Sequence, residues 1–307
     1  MSEQNQRAFF HDYRKPCIYM ITIATEGRLP LLGEVVGNPY APQRYKETPR
    51  VRLSDLGRNI SKTLGHLKWK YPQISTPAWQ IMPDHVHLMV YVKEELTFHC
   101  AAIIYNFIDE CNTIYQLHPF NGHSCLFSRS FNDRILSGKN QLQAMIDYIH
   151  DNPRRFLLKT HHPDFFRLWE LQWNGEVLKV MGNLELLRHP QRIQVRISRR
   201  NNEIQLHQLT DRFLAAAREG AVLVSPFVSP GECMVKENAL KEGLPMIKIL
   251  DNGFPPFFKP YGKFFNFCAM GKLLLVSIFP YSSSRIMPTK ERFEQMNLLA
   301  YRLTLNG

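Results

Sequence analysis

The stretch from Ala78 to Val92 constrains the fold more than any other part of the chain. It ends in an apolar run, Leu88 to Val92, rich in residues that favour strands, and such a run is typical of a buried central strand. Two histidines, His85 and His87, stand just before this run and flank a single apolar residue. Because side chains alternate between the two faces of a strand, both imidazoles are expected on one face.

Two imidazoles on one face of a strand can chelate a single divalent metal ion. Pro83 and Asp84 form a turn signal just before the pair, so the histidines are predicted at the accessible mouth of a hairpin. A His-x-His pair also occurs in strands that bind no metal. The residues therefore predict a metal site and leave an ordinary strand as the alternative.

The chain has 307 residues, which favours two domains, and its formal net charge of +11 favours a polyanionic partner, above all nucleic acid. A basic protein with no such partner is the alternative. The six cysteines contain no C-x-x-C pair and are expected to be free thiols. The N-terminus is polar and no apolar run reaches membrane-spanning length, so a cytoplasmic location without a membrane partner is expected.

The first half of the chain alternates strand and helix signals in the order strand, helix, strand, strand, helix. This order is most of a ferredoxin-like α+β unit with an antiparallel sheet, which needs one further strand. The predicted elements are a strand at 17–25, a short strand within 31–36, an amphipathic helix at 51–70, the hairpin around Pro83, a helix at 96–115 and a fourth main strand at 134–136.

Another helix is predicted from Lys139 to Asn152, where apolar residues recur at helical spacing. Pro153 is expected to end this helix, because a residue that precedes proline avoids the helical conformation. Tyr148 and Asn152 are four residues apart and therefore share a face. A tyrosine at the rim of an amphipathic helix is ordinarily a packing residue, so the residues alone do not assign Tyr148 a role.

Two stretches together, Met82–Leu88 and Asp147–Arg154, resemble the two signatures of the single-tyrosine HUH transposases. The resemblance is to the REP-associated tyrosine transposase branch of the insertion-sequence 200 type. The segment Phe127–Ile135 is also similar to the segment that precedes the tyrosine helix in this family. The resemblance covers roughly Tyr13 to Arg155 and predicts an HUH transposase-like domain at residues 1–157.

This resemblance implies metal-dependent nicking and joining of single-stranded DNA, with DNA hairpins as the usual targets. His85 and His87 would bind Mg²⁺ or Mn²⁺, Tyr148 would be the nucleophile that forms a 5′-phosphotyrosine, and Asn152 would be a third metal ligand. The alternative is a domesticated protein, monomer or homodimer, that binds hairpins without productive cleavage. An RNA-binding ferredoxin-like module would instead need exposed aromatic residues on the sheet face.

Basic residues near these motifs are candidates for contacts to the DNA backbone, which position DNA without reading its sequence. For any single one of them, a solvated helix face is the favoured alternative. The candidates are Arg50, Arg52, Arg58, Lys62 and Arg129.

The second half of the chain is predicted to contain a connecting β-rich segment at 158–202 and a small α/β Rossmann-like domain at 203–307. Asn174-Gly175 is a strong hairpin signal. Arg192 to Arg200 alternates basic and apolar residues, which predicts a strand with a cationic outer face, either for DNA or to protect a sheet edge. The turn from Ser225 to Glu232 either caps a helix or binds a phosphate at its N-terminus.

Overall fold

The computed structural model describes residues 11–41, 46–117, 124–136, 138, 141–284 and 289–305. It divides into two compact units, Met1–Leu158 and Lys159–Gly307. Among the residues that it describes, no helix combines the length and the apolarity needed to cross a bilayer. The six cysteines are all free thiols.

The first unit mixes helices with antiparallel strands. Its strands are β1 (Cys17–Thr25), β2 (Gly33–Val36), β3 (Arg50–Leu53), β4 (Ile74–Ser75), β5 (Trp79–Met82), β6 (His85–Val92) and β7 (Phe127–Leu136). Its helices are α1 (Asp55–Lys70), α2 (Ala101–Gln116) and α3 (Gln141–His161), the last of which runs on past the unit boundary.

The main sheet has the order β4-β6-β1-β7, with β5 also paired to β6, and all of these pairings are antiparallel. Side chains of α1 and α2, such as Ile60 and Phe107, share one hydrophobic core with Val86 and Leu88 of β6. A smaller core, which includes Ile149 of α3, is formed by strand residues whose side chains point to the other face of the sheet. The predicted α+β architecture with an antiparallel sheet is therefore confirmed.

The first helix begins later than the sequence predicts, at Asp55 rather than Val51. Residues Arg50–Leu53 form β3 instead, which pairs antiparallel with β2 in a separate two-stranded sheet. Ser54 then caps α1, since its Oγ accepts a hydrogen bond from the Gly57 amide at 3.0 Å. The alternation of arginine with Val51 and Leu53 has the period of a strand, and pairing with β2 selects that period.

The tyrosine helix does not end at Pro153, as the sequence predicts, but continues to His161; its predicted start at Lys139 lies outside the described residues. Proline has no N–H to donate to the Ile149 carbonyl. The side-chain Nδ2 of Asn152 donates to that carbonyl at 3.3 Å and to the Tyr148 carbonyl at 2.8 Å. An amide side chain thus replaces the hydrogen bond that Pro153 removes.

The second unit contains a six-stranded sheet of order β10-β11-β12-β13-β9-β8. Its strands are β8 (Trp169–Trp173), β9 (Glu176–Gly182), β10 (Arg192–Gln194), β11 (Val222–Ser225), β12 (Met246–Ile249) and β13 (Leu273–Ser277). Its helices are α4 (Glu203–Arg218), α5 (Pro230–Glu242), α6 (Lys263–Ala269) and α7 (Lys290–Arg302).

Strands β10 to β13 are mutually parallel, whereas β9 and β8 are antiparallel. The segment 158–202, predicted as a connection, thus supplies three strands of this sheet. The parallel strands follow chain order without the reversal that defines a doubly wound Rossmann sheet. This unit has two hydrophobic cores. Residues of α4, α5 and α6 belong to one of them, and residues of α7 belong to the second.

The alternation from Arg192 to Arg200 predicts that Arg192 lies on a cationic outer face, and this prediction is wrong. Arg192 is buried, and its guanidinium donates to the backbone carbonyls of Leu303 at 2.6 Å, His189 and Leu305 at 2.9 Å, and Leu187. The strand itself is only three residues long. Backbone acceptors on separate segments draw this arginine inward, which its own sequence pattern does not reveal.

Candidate active site

The hairpin of β5 and β6 places the two histidines. Met82 pairs with His85 across a two-residue turn of Pro83 and Asp84, so His85 is the first residue of β6. His87 pairs with Thr22 of β1. Val86 and Leu88 occupy the core with α1 and α2, and the intervening histidines therefore face the side of the sheet where α3 packs.

His85 is oriented by the carboxylate that precedes it. Its Nδ1 lies 2.6 Å from Oδ1 of Asp84, and Oδ2 of Asp84 lies 3.5 Å from the Arg28 guanidinium. Burial raises the pKa of Asp84, but the hydrogen bond and charge of His85 and the charge of Arg28 outweigh it and hold that pKa below its usual value. An ionised Asp84 accepts a hydrogen bond from Nδ1 of His85, so Nε2 is the ring nitrogen left for another partner.

His87 is oriented by a hydroxyl on the neighbouring strand. Its Nδ1 lies 3.0 Å from Oγ1 of Thr22, and the residue is only 8% exposed. The two histidine rings are nearly perpendicular, with centroids 4.6 Å apart, and their Nε2 atoms are separated by 3.2 Å. Both Nε2 atoms therefore converge on one point, while both Nδ1 atoms are held by protein groups.

This geometry suits a shared metal ion. Two imidazole nitrogens that bind one ion at about 2.1 Å and at right angles lie about 3.0 Å apart. Hydrogen bonds from Asp84 and Thr22 to the Nδ1 atoms are the usual outer-shell support of metal-binding histidines. Within the described ranges, no group of three or more His, Cys, Asp or Glu side chains can hold a metal ion. An ion bound here would have the two imidazole nitrogens as ligands and would keep open positions for oxygen ligands.

Tyr148 of α3 lies against this histidine pair in the same chain. Its ring centroid is 5.9 Å from that of His87, with the ring planes at 61°. The Arg155 guanidinium carbon lies 5.2 Å from the centre of the Tyr148 ring. Tyr148 is 38% exposed, so its ring is accessible to a macromolecular ligand. The structure thus brings together three of the side chains that the motifs single out.

Asn152 follows Tyr148 by one helical turn and is 8% exposed. Its amide nitrogen is bonded to the backbone carbonyls of Tyr148 and Ile149. Any bond from Asn152 to a metal would therefore come from Oδ1. The structure assigns this residue a clear part in continuing α3, and its role as a ligand remains a prediction.

The basic candidates for DNA contact lie elsewhere. Arg58 and Lys62 are on α1, which packs with the core opposite α3, and Arg129 pairs with Asp109 of α2 at 3.4 Å. Arg52 pairs with Glu34, and Arg58 pairs with Asp55. Arg50 donates to the Lys46 carbonyl at 2.6 Å. None of these contacts joins a basic candidate to the histidine pair.

Three groups at the site escaped the sequence interpretation: Thr22, Asp84 and Arg155. Asp84 stands directly before His85 at a turn, and this adjacency is a usable signal. Thr22 is a polar residue inside an apolar strand, but its pairing with His87 is a tertiary contact. Arg155 follows Tyr148 by nearly two helical turns, and the predicted helix end at Pro153 concealed this relation.

The turn before α5 in the second unit is a helix cap. Ser229 Oγ accepts from the Glu232 amide at 3.2 Å, and the Glu232 carboxylate accepts from the amides of Val228 at 2.9 Å and Ser229 at 3.3 Å. Glu232 is 5% exposed. A carboxylate of the protein itself therefore occupies the position at which a phosphate would bind, which favours the capping alternative.

No protein-family model matches the chain. A stretch of 90 residues is 23% identical to an uncharacterized protein of Haemophilus influenzae. The match covers 29% of this chain and 44% of that protein, so it spans less than half of the relative's length.

The solved structures with distant similarity include a transposase and a DNA processing protein. A REP-associated tyrosine transposase bound to a REP hairpin is 14% identical, with a TM-score of 0.34, over 51% of this chain and 74% of that one. DNA processing protein A from Helicobacter pylori, solved for its single-stranded DNA binding mode, is 20% identical, with a TM-score of 0.34, over 46% of this chain and 67% of that one.

Proposed function

We propose that the first unit nicks and rejoins single-stranded DNA, with DNA hairpins as substrates, in the manner of a single-tyrosine transposase. Tyr148 is the nucleophile, and His85 and His87 hold Mg²⁺ or Mn²⁺, with Asn152 as the candidate third ligand. One observation carries the proposal: the ring of Tyr148 lies against His87, whose Nε2 converges with that of His85 in the same chain.

The covalent step is a transesterification, in which one phosphodiester bond replaces another. The phenolic oxygen of Tyr148 attacks the phosphorus, a new oxygen–phosphorus bond forms, and the bond to the 3′ oxygen breaks. The phenol loses a proton and the departing 3′ oxygen gains one, so the products are a 5′-phosphotyrosine and a free 3′-hydroxyl. Because the phosphodiester count is conserved, attack by a 3′-hydroxyl reverses the step and rejoins strands.

The residues around the nucleophile prepare this step. Asp84 and Thr22 hold the two imidazoles so that both Nε2 atoms face one point. When bound there, a divalent cation supplies charge that offsets the negative charge developing on the phosphate. The exposure of Tyr148 allows its phenol to meet a DNA strand. The chain's net charge of +11 favours association with the polyanion.

A covalent trapping experiment tests the proposal. The full chain is incubated with labelled single-stranded hairpin DNA and Mn²⁺ or Mg²⁺, and protein–DNA adducts are separated on denaturing gels. We expect an adduct with the wild type, none with Tyr148→Phe, and none after chelation of the divalent ion. Tyr115→Phe, at a buried tyrosine of α2, controls for the loss of a phenol elsewhere.

Each outcome decides between the two hypotheses. An adduct that persists in Tyr148→Phe would show that Tyr148 is not the nucleophile. Tight binding of hairpins without any adduct would favour the domesticated binding protein. Mass spectrometry of a digested adduct should place the nucleotide on the peptide that contains Tyr148.

A further inference from the structure

Arg155 approaches the proposed nucleophile along its own helix. It lies seven residues after Tyr148, and two side chains at this spacing share a helix face. Its guanidinium carbon lies 5.2 Å from the centre of the Tyr148 ring. This contact exists only because α3 continues beyond Pro153, where the Asn152 side chain supplies the missing hydrogen bond to Ile149.

The Tyr148 ring therefore lies near both the His87 ring and the Arg155 guanidinium. A guanidinium over an aromatic face is attracted by the electrons of the ring and restrains it. For an exposed tyrosine on a helix, such a contact selects one side-chain orientation among several. The selected orientation is the one that leaves the ring beside His87.

The charge of Asp151 acts on both Arg154 and Arg155. Arg154 is bonded to both carboxylate oxygens of Asp151, at 2.6 and 3.1 Å. Burial lowers the pKa of Arg155, and the charges of Tyr148 and Asp151 act in the opposite direction. A cation removed from bulk water acts more strongly on a nearby oxygen than a solvated one does.

We infer that Arg155 is a positioning residue for the proposed cleavage: its cation holds the Tyr148 ring beside His87 and favours the loss of the phenolic proton that must precede or accompany attack. The inference rests on the proposed function and adds to it a residue that neither motif assigns to the reaction. It concerns the cleavage step, so it predicts a change in rate rather than in affinity for DNA.

The test compares charge with packing at one position. Single-turnover adduct formation is measured at saturating hairpin DNA for the wild type, Arg155→Lys, Arg155→Met and the control Arg154→Met. We expect Arg155→Met to slow the reaction at least tenfold, because the cation that favours loss of the phenolic proton is removed. Arg155→Lys should stay within about threefold of the wild type, since an ammonium is also attracted to an aromatic face and keeps the charge. Arg154→Met should do the same.

Hairpin affinity, measured by fluorescence anisotropy, should change less than about twofold in Arg155→Met. Because misfolding would also lower this affinity, unchanged binding shows that the variant is folded. A wild-type rate in Arg155→Met would overturn the inference. Equal losses in Arg155→Lys and Arg155→Met would also overturn it, because they would indicate packing rather than charge. Failure of the wild type itself to form an adduct would overturn the proposed function, and the inference with it.

Discussion

His87 in the first unit and Arg192 in the second are buried to the same extent, each with 8% exposure, but their polar atoms face different partners. The guanidinium of Arg192 donates to carbonyls of Leu187, His189, Leu303 and Leu305, which lie on segments far apart in the chain. His87 bonds through Nδ1 to Thr22 and turns Nε2 toward Nε2 of His85.

The difference shows that burial of a polar side chain does not by itself indicate function. The guanidinium donors of Arg192 are bonded to carbonyl acceptors, and these bonds join β10 to the segment after α7. In the same way, the Glu232 carboxylate accepts from the amides before α5. In the histidine pair, two nitrogens of the same kind meet. Such a meeting is favourable only when a proton or a cation lies between them.

The largest expected effect is at His87. We expect His87→Ala to lower the rate of adduct formation by about 1000-fold, because a bound divalent ion contributes several kcal/mol to phosphoryl transfer. Adduct formation with Mn²⁺ measures the effect. The control is His150→Ala, an exposed histidine two residues after Tyr148, which should change the rate by less than about twofold. Retention of a tenth of the activity in His87→Ala would argue against the metal site.

Replacing Arg192 should affect stability rather than chemistry. Arg192→Met keeps most of the aliphatic stem but leaves buried carbonyls without their donor, which should lower the free energy of unfolding by about 3 kcal/mol. Urea denaturation measures this loss. Arg188→Met removes only an exposed pair with Glu185 and should cost less than about 1 kcal/mol. Similar losses in both variants would contradict the structural role.

Lys248 should make stability depend on pH. Its Nζ donates to the Pro226 carbonyl at 2.9 Å, and burial, followed by the charge of Lys236, lowers the pKa of Lys248 from 10.5 to about 8. Between these values the unfolded chain binds a proton that the folded chain does not, so the unfolding free energy should rise with pH from about 8 to 10.5.

At pH 7 the folded protein must charge Lys248, and this costs about 3 kcal/mol. Lys248→Met should therefore stabilise the protein by about 2 kcal/mol at pH 7, after loss of the bond to Pro226, and should remove the rise above pH 8. Denaturation at pH 7 and pH 10 checks both points, with Lys241→Met as the exposed control on α5. A variant no more stable than the wild type at pH 7 would refute the desolvation argument.

The smallest effect is expected at Thr22. Thr22→Val keeps the shape but removes the hydroxyl beside Nδ1 of His87, and loss of such outer-shell support weakens metal binding about tenfold or slightly more. Titration with Mn²⁺, followed by paramagnetic resonance, measures the affinity. The control is Thr113→Val, because the Thr113 hydroxyl donates to the Asp109 carbonyl of its own helix. Unchanged affinity in Thr22→Val would show that Thr22 does not orient the ligand.

Several elements could be predicted because their signals are local. The first strand was predicted at Cys17–Thr25 and has those bounds in the structure. The turn at Asn174 and Gly175 has positive φ at both residues, as a tight hairpin requires. The box formed by Ser229 and Glu232 caps α5 as its spacing predicts. In each case, neighbouring residues contain the whole interaction.

Two of the errors arose where distant groups changed the outcome, and a third arose from a local contact. Arg50–Leu53 became a strand because β2 was available to pair with it. Arg192 turned inward because carbonyls from the end of the chain supplied acceptors. At Pro153, the general rule on proline was overridden by the Asn152 side chain, which a residue-by-residue reading of helix signals does not include.

For the candidate site, strand alternation already placed His85 and His87 on one face, because that property belongs to a single strand. The folding of β1 and α3 against that face decided the rest. It brought Thr22 to His87 and set the Tyr148 ring beside the same imidazole, while the continuation of α3 past Pro153 placed Arg155 over the Tyr148 ring. These contacts join residues from three separate segments, and only the packing of the sheet and helix sets the distances between them.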